Sequence, residues 1–412
     1  MVGRTLVRSG SGLLLLALTV NSYALDLSWQ PQLRLGIRST DNALWSSGEQ
    51  EAALGFDNGG GLVLKAEAND WKSEITPGFN FRRFAIGENL DADEYGVRSQ
   101  HQWSPTYFLQ TSLTADYQRD STLTSELTDA GRQNDIALRD TLTLVPGVTW
   151  LIDEQNTLGA NYAYSDVAFT DAGDRGLADY SYQQVSLNAT HIYNDRLRVY
   201  VSPNVSLFDV PLVGSTTWTY GGRIGANYVF TPDFSVDFAV GYAQSNIRFR
   251  EQSFVFVPTP VPRFVVVTRN SSAATGGPVA SASIRKNFEL LRSRLDYNRQ
   301  VSPTIRGAQS RNDEIALTLE RDVTQRLLLG FRGAYDMRSA ELQDTGSSID
   351  ELNRDQLLLG GSIGYRVTRE ITARAEYRFT RQDFGEAADP VYANALFLNL
   401  FYTGQPNFYR GL

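Results

Sequence analysis

The sequence predicts an all-β fold, a transmembrane antiparallel up-and-down β-barrel of about 18 strands. Three observations predict it: segments of alternating apolar and polar residues from end to end, connections that alternate short and long, and aromatic residues gathered at segment ends. Side chains on a strand point alternately to opposite faces, so a strand with lipid on one side and water on the other must carry one apolar parity.

The first segment shows the pattern cleanly. Leu27, Trp29, Leu33, Leu35 and Ile37 share one face, and Ser28, Gln30, Gln32, Arg34 and Arg38 the other. The same reading places strands at 27–38, 61–69, 71–84, 94–103, 107–118, 139–151, 157–169, 180–193 and 196–208. It continues with 217–230, 234–249, 276–288, 290–301, 312–322, 326–338, 355–366, 370–380 and 392–402. Within 180–193 the parity changes part-way, which suggests a bulge.

The connections follow a strict order. Asn69-Asp70, Ser104-Pro105-Thr106, 153–156, Asn194-Asp195, Thr231-Pro232-Asp233, 323–325 and 367–369 read as tight turns. Longer polar connections lie between them, at 39–60, 85–93, 119–138, 170–179, 209–216, 250–275, 302–311, 339–354 and 381–391. Membrane barrels keep short periplasmic turns and long external loops, so both termini are expected in the periplasm. Trp29, Trp71, Trp103, Tyr107, Trp150, Tyr193, Phe230, Phe234, Phe288 and Tyr365 fall beside the short turns. Tyr117, Tyr164, Trp218, Tyr242, Tyr297, Tyr335 and Tyr377 fall near the other strand ends, which predicts two interfacial belts.

Bulk properties agree with an exported chain. Arg4 and Arg8, the apolar run from Leu13 to Val20 and the small-x-small Ser22-Tyr23-Ala24 read as a signal peptide over 1–24, leaving one barrel domain over 25–412. The run is shorter than the roughly 20 apolar residues a spanning helix needs. There is no cysteine, hence no disulfide framework, and a formal net charge of −8 argues against nucleic acid as a partner. The first strand starts close to the expected cleavage point, which leaves no room for an N-terminal plug and argues against a TonB-dependent transporter.

No enzyme signature is present: no nucleophile elbow, zinc-protease pattern or phosphate loop, so no cofactor and no metal are expected. The only histidines, His101 and His191, fall on the lipid-facing parity near short turns. Charge on the lumen parity is the richer signal. Arg285, Arg292, Arg294, Arg332, Arg338, Arg374 and Arg378 point inward, mixed with Asp296, Glu314, Glu320, Asp336 and Glu376. They would either form a charged constriction or pair across strands to keep the lumen wet and ordered, and the near balance of signs favours pairing. Lys65, Glu67, Lys72 and Glu74 surround the first short turn as a paired rim.

The connection 250–275 carries Phe254, Phe256, Pro258, Pro260, Pro262 and Phe264 among valines. It reads as a hairpin extending the wall, a gate folded into the lumen, or an apolar tip that docks a partner, with the wall extension preferred. The remaining long connections are acidic: Glu49, Glu51 and Asp57; Glu88, Asp91, Asp93 and Glu94; Asp344, Asp350 and Glu351. They read as solvated loops, with divalent bridging to lipopolysaccharide as the sharper alternative.

Short motifs also carry a resemblance. Ser39 to Asn42 (STDN), Ile75 to Phe79 (ITPGF), Ala375 to Asp383 (AEYRFTRQD) and Tyr392 to Leu400 (YANALFLNL) resemble the β-barrel porins of exopolysaccharide loci, including those associated with exosortase systems. The resemblance implies a Gram-negative outer-membrane location beside lipid and lipopolysaccharide. It further implies a channel tied to exopolysaccharide export, with polysaccharide or periplasmic export components as partners. The other class of function is a structural or docking barrel whose lumen is closed by loops. One departure is the chain past Tyr402, through Phe408 and Tyr409 to Leu412. Either the assembly signal is internal or the last strand begins later than 392.

Overall fold

The computed structural model describes residues 25–43, 50–86, 90–122, 137–170, 177–212, 214–257, 263–303, 309–341, 353–384 and 389–410, with side chains at 251–270, 303–309, 340–341 and 409–410 excepted. The strands are β1 (Asp26–Thr40), β2 (Ala53–Glu67), β3 (Trp71–Ile86), β4 (Ala92–Thr106), β5 (Leu109–Ser121) and β6 (Leu138–Leu151). Next come β7 (Asn156–Thr170), β8 (Tyr180–Ile192), β9 (Leu197–Val210), β10 (Ser215–Thr231), β11 (Phe234–Val257) and β12 (Arg263–Asn287). The chain ends with β13 (Leu291–Pro303), β14 (Gln309–Asp322), β15 (Leu327–Glu341), β16 (Arg354–Arg366), β17 (Ile371–Asp383), β18 (Val391–Thr403) and β19 (Asn407–Arg410).

From β1 to β18 each strand pairs antiparallel with the next, and β1 closes the sheet by pairing with both β2 and β18. Closure matters because no water reaches the bilayer core, so every backbone donor and acceptor must be met by a neighbouring strand. The outer wall is apolar and exposed: Leu33, Leu35, Ile224 and Ile363 are each more than half accessible. The inner wall is polar. At 18 strand positions such a barrel has the girth of those that hold an aqueous channel.

The belts have a chemical asymmetry. On the long-connection side, tyrosine hydroxyls donate to acceptors one strand away: Tyr117 to Asp140 at 2.9 Å, Tyr297 to Asp313 at 2.9 Å, Tyr335 to Asp355 at 3.2 Å and Tyr377 to Asn394 at 2.6 Å. The ring then lies against lipid while the hydroxyl faces water. On the short-turn side, tryptophans dominate, and Trp29, Trp103 and Trp150 are each about half exposed.

Several sequence expectations are corrected. The strand expected at 61–69 starts at Ala53, because Gly55 and Gly59 to Gly61 leave gaps in the alternation that resemble a loop. Asp57, Asp93 and Glu94 therefore belong to strands. The turn expected at Ser104 to Thr106 lies at Tyr107-Phe108, and Ser104-Pro105 instead sit where the β4–β5 register shifts. A proline lacks the ladder donor and is tolerated at such an irregularity.

No bulge breaks the β7–β8 register. The parity of β8 looked mixed because Tyr180 and Tyr182 face inward, packing against Phe208, while Gln183 faces outward and accepts from Tyr162 at 3.2 Å. The segment 250–275 extends the wall: β11 and β12 stay in register from Phe234↔Lys286 to Val257↔Arg263. Phe254, Phe256 and Phe264 belong to these strands, and Pro258, Pro260 and Pro262 lie outside the described residues.

The last strand comes in two pieces. β18 pairs with Gln32 to Thr40 of β1, and β19 resumes the ladder against Asp26 to Trp29. Between them Gly404 packs so closely on Pro31 that an added Cβ would lie 2.7 Å from the proline Cγ, and its N–H donates to the Pro31 carbonyl at 2.9 Å.

Candidate lumen sites

Arg285, Arg292, Arg294, Arg332, Arg374, Glu376, Arg378, Glu320 and Asp336 fall on the lumen parity, opposite an apolar outer face. They do not form one ring. Register divides them between two walls with different electrostatics.

The first wall spans β11 to β15 and lines a recess of about 1030 Å³ with Asp237, Arg285, Arg292, Arg294, Asp296, Glu314, Glu320 and Arg332. Opposite charges pair here. Arg292 meets Asp322 at 2.8 Å and Glu320 at 3.3 Å, Arg294 meets Asp296 at 2.7 Å, and Arg332 reaches Glu314 at 4.0 Å. The pairs are exposed, with the Arg332 side chain 62% accessible, so each contributes little stability. Asp336 lies further along β15, opposite Glu314 on β14.

The second wall spans β17, β18 and β1 to β4, and most of it went unremarked in the sequence. Its centre is Asp57, which is 1% exposed. Three guanidinium groups converge on that carboxylate: Arg82 at 2.9 Å, Arg38 at 3.3 Å and Arg34 at 3.5 Å. Arg82, itself buried, also meets Glu94 at 3.3 Å. Gly36 stands directly opposite Asp57, and an added Cβ there would lie 2.6 Å from Asn399 Oδ1, the acceptor that Arg34 uses. On β17, Arg374 and Arg378 share Glu376, at 3.8 and 2.8 Å. Below this cluster a recess of about 870 Å³ is lined by Arg34, Gly59, Gly78, Gly96, Arg98, Asp116 and Phe401.

A third recess, about 450 Å³, lies against β7 to β13 and is lined by Gln184, Asn204, Ser206, Thr219, Arg223, Gln300 and Ser302. Hydroxyl and amide groups dominate it. At the long-connection end above it, described parts of the connections fold inward. Ala178 packs on Phe208 and Val210, and Leu177 packs with Ala137 against Phe169. The buried polar wall residues Thr217, Ser245, Asn312, Arg354 and Gln382 lie toward the same end. Among the described residues, buried polar side chains of the inner wall are thus concentrated toward the long connections.

The histidines take part in neither wall. His101 hydrogen-bonds with Ser73 at 2.8 Å and Ser99 at 2.6 Å, and His191 with Asn156 at 2.9 Å. Of the four residues expected to form a paired rim, Lys65 pairs with Glu74 at 3.1 Å across the first short turn, and Glu67 faces Lys72 in the ladder. Among the described residues, no group of three or more His, Asp or Glu could hold a metal ion.

An exposed apolar outer wall around a polar, charged interior defines a transmembrane β-barrel. No family model matches the chain, and no curated protein matches it. Among solved structures it is similar to Pseudomonas aeruginosa OpdQ, with a TM-score of 0.47 and 11% identity over 92% of this chain and 99% of that one. It is similar to P. aeruginosa OccK2 (OpdF), crystallised with glucuronate, with a TM-score of 0.48 and 9% identity over 92% and 98%. The ferric-catecholate import receptor Fiu of E. coli K12 matches with a TM-score of 0.46 and 10% identity over 93% of this chain and 82% of that one. These identities are too low to carry residue roles across.

Proposed function

We propose that the chain forms a porin-like channel in the outer membrane of a Gram-negative bacterium, linked to export or secretion of exopolysaccharide. Its short turns and both termini face the periplasm, and lipid and lipopolysaccharide surround its outer wall. The carrying observation is the inner wall. It retains recesses of about 450 to 1030 Å³ edged with hydroxyl, amide and charged groups inside a closed apolar shell. Groups of that kind exchange hydrogen bonds readily with the hydroxyls of a hydrated saccharide. The link to exopolysaccharide rests on the motifs at 39–42, 75–79, 375–383 and 392–400.

A second reading is a structural or docking barrel with a loop-closed lumen. The inward packing of Leu177 and Ala178 favours it. Deleting the gene from its host separates the two when cell-surface polymer and conductance of the purified barrel are measured together. Loss of secreted polymer with a conducting barrel supports the channel. Loss of polymer with a silent, folded barrel supports docking, and unchanged polymer contradicts the exopolysaccharide link.

A further inference from the structure

The second lumen wall gathers arginines around inward-facing aromatic rings. β18 contributes two inward aromatic rings, Phe397 and Phe401, with an arginine column on each side. Arg38 of β1 and Arg378 of β17 each place the guanidinium carbon 5.0 Å from the centroid of Phe397. Arg34 stands 6.0 Å from Phe401, and Arg374 faces Asn399 across the β17–β18 ladder. Each column repeats at four residues, so its two rungs lie about 13 Å apart along the strand.

Charge is not balanced here. Arg34, Arg38, Arg82, Arg374 and Arg378 share three carboxylates, those of Asp57, Glu94 and Glu376. Arg38 also keeps a buried Nε without a hydrogen-bond partner. Like charges flanking one ring repel, and cation–π attraction offsets this only in part. A carboxylate in the lumen would meet unsaturated forked donors that match it geometrically. Phe397 and Phe401 offer flat apolar surface between those donors, suited to the C–H face of a sugar ring. Asn399 stands between the two rings; its Oδ1 accepts from Arg34 at 3.0 Å, and its amide donors can meet hydroxyls. The wall at β11 to β15 pairs Arg292, Arg294 and Arg332 with Glu320, Asp322, Asp296 and Glu314, and carries no such excess.

We propose that the face built on β17, β18 and β1 is a binding site for carboxylate-bearing saccharides, engaged by the two arginine columns and stacked on Phe397 and Phe401. This rests on the channel reading above and narrows its substrate to acidic glycans.

The test uses the mature full-length barrel in planar bilayers. Oligogalacturonate and a neutral malto-oligosaccharide of equal length are added on either side, and current interruptions are counted. The acidic oligomer is expected to interrupt current at concentrations about tenfold lower than the neutral one. That difference should vanish in the R38Q/R378Q double variant and shrink in F397L, with Arg378→Gln alone as the milder change. Equal interruption by both oligomers, or a difference that survives R38Q/R378Q, overturns the site and leaves the channel reading intact. A silent but folded barrel instead counts against the channel. Calorimetry of the detergent-solubilised protein with oligogalacturonate then decides the site: binding heat lost in R38Q/R378Q supports it, and no heat overturns it.

Discussion

Asp57 is the residue on which the inner wall turns. A carboxylate buried at 1% exposure is tolerated because three arginines reach it, and those arginines are held near one another because it is there. Removing one partner of a buried ionic group leaves the others unpaired in a poor solvent for charge. Asp57→Ala should lower unfolding stability in urea by about 3–5 kcal/mol. A change below about 1 kcal/mol, the scale of a surface pair, would show that water reaches the cluster freely. A smaller effect belongs to the turn after β6. Hydrogen bonds from Asn156, led by its side-chain amide, hold the Asp153 carboxyl below its ordinary value of 3.8. A depressed folded value stabilises the native state above the unfolded value and loses that contribution as pH falls through the folded one. Wild type and Asp153→Ala should therefore differ in melting temperature at pH 7 and converge below the ordinary carboxylate range. A gap that persists in acid would assign the effect to packing instead.

At the scale of elements, the seam where β1 meets β18 and β19 governs closure. Gly404 lets the last strand bend tightly over Pro31, and a rigid ring cannot retreat from an added Cβ at 2.7 Å. Gly404→Val should slow assembly of the closed barrel, read as the unfolded fraction on heat-modified electrophoresis. Normal assembly would mean that β19 pairs independently of that bend. The strands themselves were legible because alternation is imposed twice, by lipid outside and water inside. All eighteen expected segments are found, and errors gather where the code thins. Glycines at 55 and 59–61 hid the first half of β2 and made Asp57 look like a loop acid. Tyr180 and Tyr182 broke the parity of β8 because an apolar cluster lies inside the barrel there. The lumen direction of Arg374 and Arg378 could be read from parity. Their neighbours across the seam could not, since β1 and β18 are brought together only by closure and lie more than 350 residues apart in the chain.

For the whole molecule, the usual relation of core to surface is inverted. Large apolar side chains face outward along nearly every strand, and most of the buried apolar residues among those described lie near the long connections. Such a surface is stable only in lipid or detergent, which limits any function to the lumen and the two rims. Three recesses of different character around one lumen suit a conduit more than a scaffold, because paired charge, hydroxyl groups and unbalanced arginine would each hold a different part of a passing polar solute. The most direct test of the channel is the single-channel conductance of the refolded mature protein in planar bilayers. Steady conductance that favours anions, with the preference reduced in R38Q/R378Q, is the predicted result. A correctly folded barrel that passes no current would contradict it.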